Sequence, residues 1–172
     1  MTTHSPQSKA LEIIYTFFVG ILIAVFVGVG IAAFYVEPKA PEYPTMLKVY
    51  SAPVPAGAPS TESAKLEIEQ RKYDAQQKKY EAQMNIYNRN VSIIALIAAI
   101  IVSSISITFF KNLRVIADGL LLGGVITLLY SVVRIFGSGD DKLRFVVVSI
   151  GLVVALVLGY KKFLTTSGVR QS

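Results

Sequence analysis

Residues 62–110 run for forty-nine positions without a glycine or a proline. Those are the two residues that cost a helix interior most, about 1 and about 3 kcal/mol relative to alanine, so nothing in the stretch stops a helix. Its first part repeats every seven residues: 71–77 read RKYDAQQ and 78–84 read KKYEAQM. Leu66, Gln70, Tyr73, Gln77, Tyr80, Met84 and Tyr87 recur at alternating spacings of four and three, and Val91 and Ile94 continue the series. That spacing gathers them on one side of a helix as a coiled-coil seam. Glu67 with Arg71 and Asp74 with Lys78 add helical pairs four residues apart. The second part, 91–110, carries no charge. A polar heptad helix at 62–90 is therefore expected to continue directly into a membrane-spanning helix at 91–110.

Apolar residues make up 53% of the chain and charged residues 16%, and the apolar ones fall in blocks. A spanning helix needs about 20 apolar residues to cross about 30 Å of hydrocarbon. Blocks at 13–36, 91–110, 115–136 and 143–162 meet that length. The expected fold is thus an all-α membrane protein, a four-transmembrane-helix bundle with a long extramembrane heptad helix continuous with the second span. Tails at 1–12 and 163–172, a turn at 111–114 and a hairpin at 137–142 complete the division. The first apolar run is longer than the 7–15 residues of a signal peptide core, so it reads as a retained anchor.

Residues 37–61 hold six prolines, at 38, 41, 44, 53, 55 and 59. They point to an extended segment without helix. In polyproline form it reaches about 75 Å, enough to run the roughly 43 Å length of the heptad helix. Two readings stay open here, a linker and a strap that lays Met46, Leu47, Val49 and Tyr50 on that helix.

Every span carries small residues at four-residue spacing. Gly20, Ala24, Gly28 and Ala32 lie in the first, Ala95, Ala99 and Ser103 in the second. Gly119, Gly123, Thr127 and Ser131 lie in the third, and Gly151, Ala155 and Gly159 in the fourth. In lipid, where hydrophobicity does not drive helices together, such positions let backbones approach closely. They are the expected helix-packing residues.

The chain has no cysteine, and its one histidine is His4. Disulfides, thiolate chemistry and the usual zinc and haem ligands are therefore out of its reach. No nucleophile–base pair can be assembled from the sequence either, so neither an enzyme nor a bound cofactor is expected. The net charge of +6 comes from basic residues that flank spans or alternate with acids, which argues against nucleic acid. Between Asp118 and Arg134 lie fifteen uncharged residues, about 22 Å of helix, less than the hydrocarbon thickness. At least one of the two charges is expected near or below the interface, and Asp118, the shorter side chain, is the candidate for ion or proton handling. Asp140 and Asp141 stand where they would cap the fourth helix.

Short loops and tails place Lys9, Lys111, Arg114, Lys161, Lys162 and Arg170 on one side, and Arg134, Lys142 and Arg144 on the other. Six against three favours both termini in the cytoplasm of a multi-pass protein of the cell membrane, with the heptad helix outside. The expected function is a non-catalytic scaffold or assembly subunit acting through that projecting helix. Its expected partners are the lipid bilayer and a second copy or another membrane protein, met through Leu66, Gln70, Tyr73, Gln77, Tyr80, Met84 and Tyr87. The alternative is a small oligomeric channel or transport subunit using Asp118 and the hydroxyls at 103–108.

Overall fold

The structure, a computed structural model, describes residues 6–49, 60–110 and 113–167. Every element among them is helical: α1 Pro6–Phe34, α2 Thr45–Val49, α3 Ser60–Phe109, α4 Arg114–Phe136 and α5 Asp141–Ser167. Four helices are long and apolar enough to cross a membrane, over Lys9–Phe34, Ser63–Phe109, Arg114–Phe136 and Asp141–Lys161. The chain divides into two units, one of Met1–Val36 with Asn88–Ser172 and one of Glu37–Tyr87.

Helix α4 organises the larger unit. A Cβ on Gly119 would sit 2.8 Å from the Val19 side chain, and one on Gly123 would sit 2.8 Å from Ile23. Glycine thus lets α1 lie against α4, and both helices run in the same direction. Across α4 from this contact, Gly124 opposes Ala99 and Ser103 of α3, and Gly151 of α5 meets Leu128 and Val132 of α4. Leu96, Ile135 and Val147, one from each of α3, α4 and α5, form a buried core with Ile100 and Leu143 packed on it. The outward side chains of α1 and α5, among them Phe18, Phe26, Phe145 and Leu156, stay exposed, as hydrocarbon-facing residues would.

Several boundaries differ from expectation. Helix α1 begins at Pro6, seven residues before 13, because proline fits the first helical turn, where its missing N–H is not needed. It ends at Phe34 as Glu37-Pro38 approaches, since the residue before proline avoids helical angles. The segment 37–61 is not extended throughout. Thr45–Val49 forms the short helix α2, with Pro44 O accepting from the Leu47 and Lys48 N–H groups at 3.1 and 3.4 Å. These five residues contain no proline, so a proline before them opens the turn instead of blocking it. Residues 50–59, with Tyr50, lie outside the described residues, as do 111–112 of the turn and 168–172 of the tail.

Helix α3 starts at Ser60 and runs unbroken to Phe109. The hairpin between α4 and α5 is tighter than 137–142. Gly137 caps α4 by donating to Arg134 O at 3.1 Å, and Gly139 takes φ 70°, which glycine tolerates. Asp140 Oδ1 accepts from Leu143 N at 3.1 Å and caps α5, while Asp141 pairs with Arg144 Nη1 at 2.7 Å. Helix α5 then continues to Ser167, past 162.

In the smaller unit the Tyr43 ring meets the Tyr73 ring edge-on, centroids 5.1 Å apart at 70°. The chain after α1 therefore touches the heptad stretch at Tyr43. Glu67 holds Arg71 at 2.6 Å and Glu69 holds Lys72 at 3.5 Å. Asp74 accepts from Gln70 Nε2 at 3.0 Å, and Glu81 from Gln77 Nε2 at 3.1 Å. Such exposed pairs stabilise a helix by a few tenths of a kcal/mol each.

Candidate functional site

Polar side chains concentrate where α3 faces α4. Asn88, Ser92, Ser103 and Ser106 on α3, and Thr127 and Ser131 on α4, are all buried. Ala95 and Ala99 fill the positions between, so the face of α3 has no bulky residue from 99 to 106 and α4 comes close. Serine suits this face because it is small and its hydroxyl can bond a carbonyl across the gap. Ser92 Oγ donates to Ser131 O at 2.8 Å, and Ser131 Oγ donates to Ser92 O at 2.8 Å. Ser106 Oγ donates to Ala117 O at 2.6 Å, and Thr127 Oγ1 bonds back to Gly123 O within its own helix at 2.8 Å. Ser103 Oγ is buried with no hydrogen-bond partner and occupies the space a side chain on Gly124 would need.

At the C-terminal end of α4 the seam becomes charged. Arg134 Nη1 donates to Asn88 Oδ1 at 2.9 Å, and Arg134 Nε donates to Tyr130 OH at 3.2 Å. Its guanidinium carbon lies 5.9 Å from the Tyr130 ring centroid, within cation–π range. Asn88 uses its other end too, donating from Nδ2 to Gly137 O at 3.1 Å. One asparagine thus ties the cation and the carbonyl end of α4 to α3. Nearby, Asn90 Nδ2 donates to Tyr35 OH at 2.6 Å and joins α3 to the residue that follows α1. On the hairpin side, Arg144 Nη2 donates to Phe136 O at 2.7 Å.

Of the two charges expected in the third span, Arg134 is held in this cluster. Asp118 is half-buried in the first turns of α4, sixteen residues away, about 24 Å along the axis. The two do not share a site. The hydroxyls at 103–108 also part company: Ser103 and Ser106 face α4, whereas Ser104 and Thr108 are exposed. Along the heptad seam Leu66, Tyr73, Gln77, Tyr80 and Met84 are half-buried, Gln70 is exposed and Tyr87 is buried.

The small-residue positions divide likewise. Gly20, Gly119, Gly123 and Gly151 lie at helix contacts, and Ala24 is half-buried. Nothing lies within 4 Å of where a Cβ on Gly28 or Gly159 would stand, and Ala32 and Ala155 are exposed.

Sequence reading missed Asn88 and Asn90. Their signal was present: Asn85, Asn88 and Asn90 crowd the junction where the charged half of α3 gives way to the uncharged half. Amide side chains at the edge of an apolar span need partners, and these two find them across helices. The cluster positions helices and one permanent cation; arginine does not release a proton in proteins. Among the described residues no three His, Cys, Asp or Glu side chains gather as a metal ion would require. Comparison of the chain with protein-family models, with curated proteins and with solved structures finds no match.

Proposed function

We propose that the chain is a non-catalytic integral membrane protein that serves as a scaffold or assembly subunit, and that it binds a second copy of itself through the charged half of α3. The observation that carries this reading is the composition of one helix. Ser60–Phe109 is continuous, yet its residues are charged and heptad-repeated up to Asn90 and uncharged from Val91 on. Charged residues are costly in hydrocarbon, so the first half belongs in water and the second in lipid. The basic flanks favour cytoplasmic termini and an extracytoplasmic heptad stretch.

The partner face in this reading is the side of the helix opposite the seam. Tyr73, on the tyrosine–glutamine seam, already meets Tyr43 of the same chain. Opposite the seam, Ile68 and Ile86 stand exposed at 55% and 50%, with Ala75 and Ala82 exposed between them. Five helical turns separate the two isoleucines, so these four residues share one azimuth. Glu67, Arg71, Asp74, Lys78 and Glu81 flank one side of the ridge with both signs of charge, and Lys65, Lys72 and Lys79 flank the other.

The natural lack of cysteine makes the test free of background. Ala75→Cys and Ala82→Cys are expected to form disulfide-linked dimers on mild oxidation in native membranes, while Lys161→Cys is not. Absence of dimer from both ridge variants would remove self-association as the function. The channel alternative, which uses Asp118 and the hydroxyls at 103–108, draws less support, because Ser103 and Ser106 are buried within the chain and Ser106 Oγ is engaged with Ala117 O.

A further inference from the structure

We infer that the groove between α1 and α4 is a binding site for one anionic phospholipid, with an acyl chain along the groove and the phosphate at Arg134. The groove encloses about 270 Å³ between Ile21, Ala24 and Gly28 of α1 and Ile126, Thr127 and Tyr130 of α4. It opens because the tight glycine contacts at Gly119 and Gly123 end there, and Gly28 has nothing within 4 Å of where its Cβ would be.

The wall selects the class of occupant. It has two hydroxyls, and both are engaged. Thr127 Oγ1 bonds Gly123 O, and Tyr130 OH accepts from Arg134 Nε. The surface thus presents hydrocarbon and no polar group at which a protein segment would be held. Such a wall takes an alkyl chain.

The end of the groove supplies the second half of the argument. Tyr130 both lines it and holds the Arg134 guanidinium at its rim, two residues before α4 ends at Phe136. Hydrogen bonds from Arg134 to Asn88 Oδ1 and Tyr130 OH orient the guanidinium. Groove depth also fits: Ile126 and Thr127 lie about 10–12 Å below Arg134 along the axis, the depth of the upper acyl chain beneath a head group.

This site rests on reading the four apolar helices as membrane spans but is independent of how copies assemble. The test is native mass spectrometry of the full chain released from mixed micelles of phosphatidylglycerol and phosphatidylcholine with identical acyl chains. The intact chain is expected to retain one phosphatidylglycerol with a preference of about fivefold, the effect of one basic residue at a membrane surface. Arg134→Gln should abolish that preference. Because Arg134→Gln also breaks the bond to Asn88, Gly28→Leu provides a second variant; it fills the groove from an open position and leaves Arg134 in place. It should reduce retention of both lipids several-fold with helical content unchanged. Equal retention of the two lipids by the intact chain would overturn the proposal, as would undiminished retention by Gly28→Leu. A change of monomer–dimer ratio in Gly28→Leu, without a change in lipid, would overturn it in favour of a second copy as occupant. Retention of neither lipid by the intact chain would overturn it together with the membrane reading.

Discussion

Ser92 and Ser131 exchange hydrogen bonds, each Oγ donating to the other residue's backbone carbonyl at 2.8 Å, with the two hydroxyl oxygens 3.2 Å apart. The pair joins α3 to α4 at a point where neither helix exposes either side chain. Interhelical hydrogen bonds in membrane proteins average only about 0.6 kcal/mol, because the separated helices also find partners. Ser92→Ala and Ser131→Ala should each cost about 0.5–1 kcal/mol. The double variant should cost less than their sum, since the two bonds support each other. Reversible unfolding in mixed micelles measures all three, and strict additivity would show that the bonds act separately.

The contact of α1 with α4 depends on two hydrogens standing where methyl groups do not fit. A Cβ at position 123 would lie 2.8 Å from Ile23 and 3.0 Å from the Gly20 carbonyl, and backbone cannot step aside. Gly123→Ala is therefore expected to loosen α1 at a cost of about 1–3 kcal/mol, the usual range for overpacking. Gly28→Ala meets nothing within 4 Å and should be neutral or stabilising by up to about 1 kcal/mol, as alanine favours helix over glycine. Thermal unfolding of the two variants side by side decides the matter. An equal loss in both would mean that α1 is not seated as described.

Tyr43 and Tyr73 hold the chain after α1 to the heptad stretch through one edge-on ring contact. Such contacts contribute about 0.5–1.5 kcal/mol beyond the area they bury. Tyr43→Ala and Tyr73→Ala should raise the tryptic cleavage rate at Lys39 and Lys48 by a similar factor, about threefold to tenfold. The double variant should add nothing further. An increase in one single variant alone would show that the rings act on different neighbours.

Much of this architecture was legible in the order of residues. Four apolar runs of spanning length and one long stretch without glycine or proline lead directly to α1, α3, α4 and α5. The small residues were harder to read, for a geometric reason. A four-residue step turns a helix by 400°, so each step drifts 40° from the last. Over Gly119, Gly123, Thr127 and Ser131 the drift is about 120°, and what reads as one stripe serves two neighbours. Gly119 and Gly123 receive α1, while Ser131 meets α3. The same drift carries Gly28 and Ala32 of α1, and Ala155 and Gly159 of α5, away from the contacts that Gly20 and Gly151 make. The Asn88–Arg134 bond lay beyond periodicity altogether. It depends on how far one helix slides along another, and that offset is set by the seating of glycines and serines over the whole length of the pair.

The central place of α4 carries a consequence for biogenesis. Its residues around 119–130 form the seat of α1, yet a ribosome makes them about a hundred positions later. Throughout that interval α1 must reside in the bilayer without its seat, and it is the most apolar of the four spans, able to do so. Helix α4, the least apolar, enters last but one, when α1 and α3 already stand ready to receive its polar groups.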